Sequence, residues 1–199
     1  SKPAKEFHTM RKLITTAFIS LDGVVEGPGG EKEYRNAGWT FKDIPFDEAA
    51  YALKGEEQEE AAALLLGRVS YEAFAPVWPT MPEFPGYLAM PKYVVSTTLQ
   101  ESDLVTNWNE INILRSIDDV AALKQTEGGP IIVNGSATLN RNLSDAGLID
   151  QYNLLVFPVL LGAGKRLFSD ADRDKINLKQ TSSESYSNGV QRLTYDVQH

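Results

Sequence analysis

Two short stretches of this chain have the residue types that hold a phosphate. Gly67-Arg68-Val69-Ser70 and Asn134-Gly135-Ser136-Ala137-Thr138-Leu139 each follow a short apolar run and lead into a stretch of helix formers. A strand that turns into a helix in this way presents the helix's first amides, which have no partner within the helix and favour an anion. Gly67 and Gly135 would let a ligand approach the backbone. Arg68 adds a permanent charge with a planar fork suited to phosphate, and Ser70, Ser136 and Thr138 add hydroxyls. Each glycine would also serve as a plain tight turn, and for either junction taken alone that is the favoured reading. Neither junction carries the G-x-G-x-x-G dinucleotide fingerprint or the P-loop pattern, and Gly162-Ala163-Gly164-Lys165 resembles a phosphate loop only in its first half. That loop is placed near the ligand site, with an ordinary turn as the equal alternative.

Other conspicuous groups read more plainly. Asp22-Gly23 is a common turn pair. His8 and His199 lie near the ends of the chain and are too isolated for a catalytic pair or a metal site, so no metal is expected. Glu56, Glu57, Glu59 and Glu60 form a charge run of the kind that marks a solvated helix face, and Trp39, Trp78 and Trp108 read as packing residues.

The elements that must position these residues follow from pattern. Lys12 to Ser20 is rich in β-branched residues and ends at Asp22-Gly23, which predicts a strand and a loop. Good helix formers dominate from Phe46 to Ala63, with Pro45 at a position that a first helical turn tolerates. Ala63 to Leu66 reads as a buried strand passing through Gly67-Arg68 into a helix over Val69 to Ala75. Further strands are expected at Lys92 to Ser96, Ile111 to Leu114, Ile131 to Val133, Tyr152 to Pro158 and Gly189 to Val197. Helices are expected at Ile117 to Gln125 and after Ser136, the latter with apolar positions Leu139, Leu143 and Leu148. Between Pro76 and Pro91, Trp78, Phe84, Tyr87 and Leu88 should fold a proline-rich stretch back onto the body. Strands alternating with helices predict a three-layer α/β fold, a mainly parallel sheet with helices on both faces and an antiparallel C-terminal strand.

Composition bounds the function. With 199 residues, of which 42% are apolar, one domain over residues 10–199 is expected, preceded by an N-terminal arm or expression remnant over residues 1–9. The net charge of -8 argues against a nonspecific nucleic-acid binder, and the absence of cysteine removes disulfides, thiolate metal sites and cysteine nucleophiles. The chain has no apolar run of membrane-spanning length, so a soluble, cytoplasmic protein without membrane contact is expected.

Taken in order, Ser20-Leu21-Asp22-Gly23, Leu66-Gly67-Arg68-Val69-Ser70-Tyr71-Glu72 and Asn134-Gly135-Ser136-Ala137-Thr138-Leu139 resemble the landmarks of the dihydrofolate reductase-like superfamily, closest to the reductase domain of riboflavin biosynthesis. Gly147-Leu148-Ile149-Asp150-Gln151-Tyr152 and Pro158-Val159-Leu160-Leu161-Gly162-Ala163-Gly164 are similar to that branch's next helix exit, strand and loop. The resemblance implies NADPH as cofactor, with Gly67, Arg68 and Ser70 at its phosphates, Ser96 and Thr97 at the adenosine 2'-phosphate, and Asn134 to Leu139 around the pyrophosphate. Ser70 stands where threonine is commoner, and Gly135-Ser136 replaces the paired glycines of dihydrofolate reductases proper. Asp22 is then implied near the nicotinamide end. Asp47 or Glu48 lies in the region of a substrate-side carboxylate, and Gly162 and Gly164 lie in a loop on that side. The implied activity is hydride transfer to a C=O or C=N group of a small, pterin-like or riboflavin-precursor-like molecule, by a homodimer whose contact would involve apolar residues near Phe84 and Tyr87. The alternative is a noncatalytic NADPH-binding or regulatory module of the same fold.

Overall fold

The computed structural model describes residues 10–30 and 33–199, so the N-terminal arm and His8 lie outside the described residues. In chain order the strands are β1 (Leu13–Ser20), β2 (Ala63–Gly67), β3 (Lys92–Val95), β4 (Ile111–Leu114), β5 (Ile131–Asn134), β6 (Gln151–Phe157), β7 (Leu178–Ser185) and β8 (Gln191–Val197). The helices are α1 (Ala52–Glu60), α2 (Arg68–Phe74), α3 (Pro85–Ala89), α4 (Ile117–Lys124) and α5 (Ala137–Asp145). All eight strands form one sheet in the order β4-β3-β2-β5-β1-β6-β8-β7. The first six in that order pair in parallel, β8 runs antiparallel to β6, and β7 antiparallel to β8.

The central strands are buried on both faces, which is why β1 and β2 read as nearly continuous apolar runs rather than alternating ones. On one face Leu13, Ala17, Leu65, Ile131 and Val133 pack under Val120 of α4 and Leu139 and Leu143 of α5. On the other, Ile14, Leu64, Leu66 and Ile132 pack under Tyr71 of α2 and Tyr87 of α3, while Leu155 and Phe157 meet Leu53 of α1. These are the two helical layers expected from the alternation of elements.

Several expectations change. The long helix over Phe46 to Ala63 is split: Asp47 caps a 3₁₀ turn, Glu48–Tyr51, and only then does α1 begin. Glu57 does not lie on a solvated face; it is 1% exposed. β7 escaped the sequence reading because LKQTSSES is exposed at every position and carries no apolar alternation; its partner β8 supplies the pairing. Leu148 lies beyond the end of α5. In the proline-rich stretch Trp78 packs against Phe74, Phe84 and Tyr87, and Tyr87 is buried, while Leu88 is exposed instead of packed back.

Candidate functional site

Neighbouring β2 and β5 deliver the two strand-to-helix junctions side by side, and a pair of serines joins them. Gly67 N donates to Ser136 Oγ at 2.9 Å, and the Ser136 hydroxyl donates to Ser70 Oγ at 2.6 Å. Gly135 and Ser136 both hold positive φ, +72° and +63°, and turn the chain sharply from β5 into α5. A Cβ on Gly135 would lie 2.9 Å from Ser70 Oγ, and one on Gly67 would lie 2.9 Å from Ser136 Oγ. Each glycine therefore makes room for the serine of the other junction. From below, the buried Asn140 donates to Gly135 O at 2.7 Å and accepts from Thr15 Oγ1 at 2.7 Å, which fixes the turn to β1.

These helix starts differ from that of α4. There Ser116 accepts from Asp119 N, and Asp118 and Asp119 occupy the first turn. At α2 and α5 no side chain caps the helix and the first turn holds no acid. Their leading amides and the positive ends of their dipoles are left for an anion. Thr138 is exposed at this edge, whereas the side chains of Ala137 and Leu139 are buried, so those two residues can offer only backbone amides.

On the far side of α2 the loop after β3 is held by two arginines. Arg68 pairs with Glu72 at 2.8 Å and donates to Thr98 Oγ1. Arg115, directly after β4, donates to Ser96 O at 3.0 Å and to Leu99 O at 2.7 Å. The Ser96 hydroxyl accepts from Thr98 N and Leu99 N, which closes the turn and leaves Thr97 exposed. Thr98 and Arg115 were not singled out in the sequence, although Arg115 ends its strand as Ser96 follows its own.

The opposite rim is built from the loops after β1 and β6. Asp22 accepts from Ser20 Oγ at 2.6 Å, Leu161 N at 3.1 Å and Gly162 N at 2.7 Å, and these bonds, the serine's foremost, hold its carboxyl down at about 2. An antiparallel bridge between Val24 and Arg166 stitches the same loops together. Glu26, Arg141, Gly164, Lys165, Arg166, Phe168 and Asp170 line an open concavity of about 380 Å³ beside them. Asp47 accepts from Ala49 N and from the Ser187 hydroxyl; the serine bond is the main cause of its lowered ionisation, and the contact ties the segment before α1 to the β7–β8 turn. Both carboxylates are thus ionised clamps near neutral pH, not proton donors, and Glu48 is exposed.

A different set of polar groups lies between α1 and the sheet. Asn134, Thr16 and Asn153 are register partners across β5, β1 and β6, so their side chains share the face that α1 covers. Over this row Lys54 donates to Thr16 Oγ1 at 2.7 Å and pairs with Glu57 at 3.2 Å, and Glu57 Oε2 accepts from Asn153 Nδ2 at 3.0 Å. The Tyr87 hydroxyl is buried there beside Asn134; burial, and behind it the charge of Glu57, push its ionisation above the ordinary tyrosine range, against the opposing pull of Asn134. Sequence reading missed this cluster. Its one local sign was the i, i+3 spacing of Lys54 and Glu57, which ordinary solvated helices share.

The profile of the RibD C-terminal domain family matches residues 11–192. The chain belongs to that family. Two uncharacterised Bacillus subtilis proteins are similar to it: YyaP, 30% identical over 192 residues (93% of this chain and 94% of that protein), and YwjB, 28% identical over 174 residues (86% and 91%). Among solved structures, a Shewanella sp. PV-4 protein provisionally assigned to riboflavin biosynthesis superposes with a TM-score of 0.75 at 19% identity, covering 94% of this chain and 99% of that one. A dihydrofolate reductase from Enterococcus faecalis, complexed with NADP(H), superposes with a TM-score of 0.60 at 14% identity, covering 94% and 97%. At such identities these structures establish a shared dihydrofolate reductase-like fold.

In this RibD C-terminal chain the structure brings Gly67, Ser70, Asn134, Gly135 and Ser136 into one joint, and Arg68, Ser96 and Thr97 onto the loop beside it. It gathers Asp22, Gly162 and Gly164 at the other rim, where a Cβ on Gly164 would lie 2.5 Å from Val24. Asp47 is bonded to the β7–β8 turn and to its own 3₁₀ turn, and to none of these groups.

Proposed function

We propose that the chain is an NADPH-dependent reductase that transfers hydride to a C=O or C=N carbon of a small molecule. The observation that carries this reading is the pair of adjoining helix starts, α2 and α5, both uncapped and free of acid, over a glycine-serine joint. The amides at Gly135 to Thr138 suit a pyrophosphate, and Arg68, Arg115 and Thr97 suit an adenosine 2'-phosphate. The fold shared with a reductase solved with NADP(H) supports the same assignment. When bound, the reduced nicotinamide supplies the hydride; the protein supplies orientation and electrostatics. Asp22 holds the two rim loops against each other, and Asn140 holds the pyrophosphate turn to β1. A pterin-like or riboflavin-precursor-like ring is the substrate class this reading favours.

Titration with NADPH and NADH, followed by NADPH oxidation against a panel of carbonyl and imine acceptors, tests the proposal. NADPH should bind more tightly than NADH, and at least one acceptor should be turned over. A protein that binds neither cofactor overturns it. Because Asp22 and Asp47 are both engaged as clamps, a noncatalytic NADPH-binding module is the second reading, and tight NADPH binding without any turnover would favour it.

A further inference from the structure

Buried lysine-carboxylate pairs seldom add stability over apolar residues of the same size, because desolvating both ions offsets their attraction. The pair on α1 is therefore better explained by what it faces. Asn134 belongs both to its polar row and to the turn of the glycine-serine joint, and Thr16 stands next to Asn134 across one strand spacing, about 5 Å. Lys54 has three N–H groups. Thr16 and Glu57 take two; the third has no oxygen partner among the described residues, and the ammonium lies over the half-buried Phe18 ring, 4.7 Å from its centre, with 16% of the lysine side chain open to solvent. Beside it Tyr51 lies 5.9 Å away, tilted by 48°, and Phe46 stacks on Tyr51 at 5.1 Å with 75% of its surface exposed. A partly open cation that no third oxygen holds, beside the exposed Phe46 stacked on Tyr51 and one strand from the glycine-serine joint, is an arrangement for a flat ring bearing a carbonyl or imine.

Resting on the reductase reading above, we propose that Lys54 is the catalytic proton donor to the reacting heteroatom, that Glu57 is its positioning residue, and that the substrate is a planar ring lying along Tyr51 and Phe46. The ring's C=O or C=N carbon accepts hydride from the reduced nicotinamide, the π pair moves onto the heteroatom, and that atom takes a proton from Lys54 Nζ. The products are the alcohol or amine, the oxidised cofactor, and a neutral lysine that regains its proton from water. Thr16 fixes the ammonium's direction, and Asn153 keeps Glu57 from turning away.

The test uses the full chain with isatin, a flat bicyclic ketone, and cyclohexanone, a ketone without a flat conjugated ring. Calorimetry on the NADP⁺ complex should show isatin binding to the parent. The charge-neutral double variant Lys54→Met with Glu57→Gln should bind isatin on the order of 10- to 100-fold more weakly, with unchanged NADP⁺ affinity and far-ultraviolet spectrum. Cyclohexanone should bind both weakly. With NADPH, Lys54→Ala should lose about 10²- to 10⁴-fold in kcat on isatin with a smaller change in KM, and added ethylamine should restore part of the loss. Glu57→Gln should lower kcat and Glu57→Asp should recover part of it. If the double variant misfolds, Lys54→Gln takes its place in the binding arm. Equal isatin binding by parent and variant overturns the role of Lys54, and a parent that binds NADP⁺ but not isatin overturns the planar-ring assignment. A parent that binds no nicotinamide cofactor removes the proposed function, and this inference with it, which is a separate result.

Discussion

Two lysine-carboxylate pairs with one fully buried member each, Lys124 with Asp150 and Lys54 with Glu57, look alike and are placed differently. Lys124 is 2% exposed and donates to Asp150 Oδ2 at 2.7 Å and to Leu148 O at 2.6 Å. Asp150 also accepts from Leu13 N and meets His199, so this pair binds α4 to the starts of β1 and β6, at the end of the sheet away from the glycine-serine joint. Lys54 also has two oxygen partners, but it stands toward that joint, with 16% of its side chain open and its ammonium over the Phe18 ring. The difference teaches that burial alone does not separate a structural ion pair from a working one. The end of the strands that the pair faces, and what borders it there, do.

The largest effect that would sharpen this comparison is on stability. Lys124→Met should cost about 3–5 kcal/mol in urea unfolding, because it leaves Asp150 uncompensated, and should leave NADPH affinity unchanged. The neutral Lys54→Met, Glu57→Gln double variant should cost far less. Comparable losses for the two would erase the distinction. Next comes Gly135→Val, where positive φ and a Cβ 2.9 Å from Ser70 Oγ disturb both junctions at once. A loss of about 1–3 kcal/mol in stability together with most NADPH affinity is expected. A fully stable variant with only binding lost would show that the joint tolerates the side chain and that the ligand alone requires the glycine.

A smaller effect concerns the arginines over the loop after β3. Arg68→Ala should narrow the preference for NADPH over NADH by about tenfold, and Arg115→Ala should loosen the loop that presents Thr97; the ratio of dissociation constants for the two cofactors measures both. If neither change moves that ratio, the 2'-phosphate lies elsewhere.

The smallest effect is a pH dependence. The folded protein keeps Asp150 ionised below the ordinary carboxylate range through Lys124, Leu13 and His199, against the opposing effect of burial. The unfolded chain takes up that proton near pH 4, the folded chain only at lower pH. The stabilisation is therefore complete above about pH 4 and declines as pH falls through the depressed folded value. The stability gap between the parent and Asp150→Asn, followed by urea unfolding, should shrink on acidification; a gap that widens would contradict the assignment.

By itself the sequence determined the strand order from β1 to β6, the helices α1, α2, α4 and α5 between those strands, the strand β8 and the two glycine junctions; the short α3 inside the proline-rich connection it did not show. Those signals are local: a β-branched run, a glycine after it, helix formers next. It also carried the residues of the glycine-serine joint, because Gly67, Ser70, Gly135 and Ser136 sit at the element boundaries that make such a joint. Tertiary structure alone decided the rest. β7 has no apolar face, so only pairing with β8 makes it a strand. Thr98 and Arg115 become neighbours of Arg68 and Ser96 only when β2, β3 and β4 line up. Asp22 and Asp47 became clamps through partners about 140 positions away, Gly162 and Ser187. Glu57 read as one charge in a solvated run, and Lys54 drew no notice, because nothing in their own segment reports Thr16 and Asn153. Those partners come from β1 and β6, and the fold that seats α1 across both strands is what turned a surface pattern into a buried one.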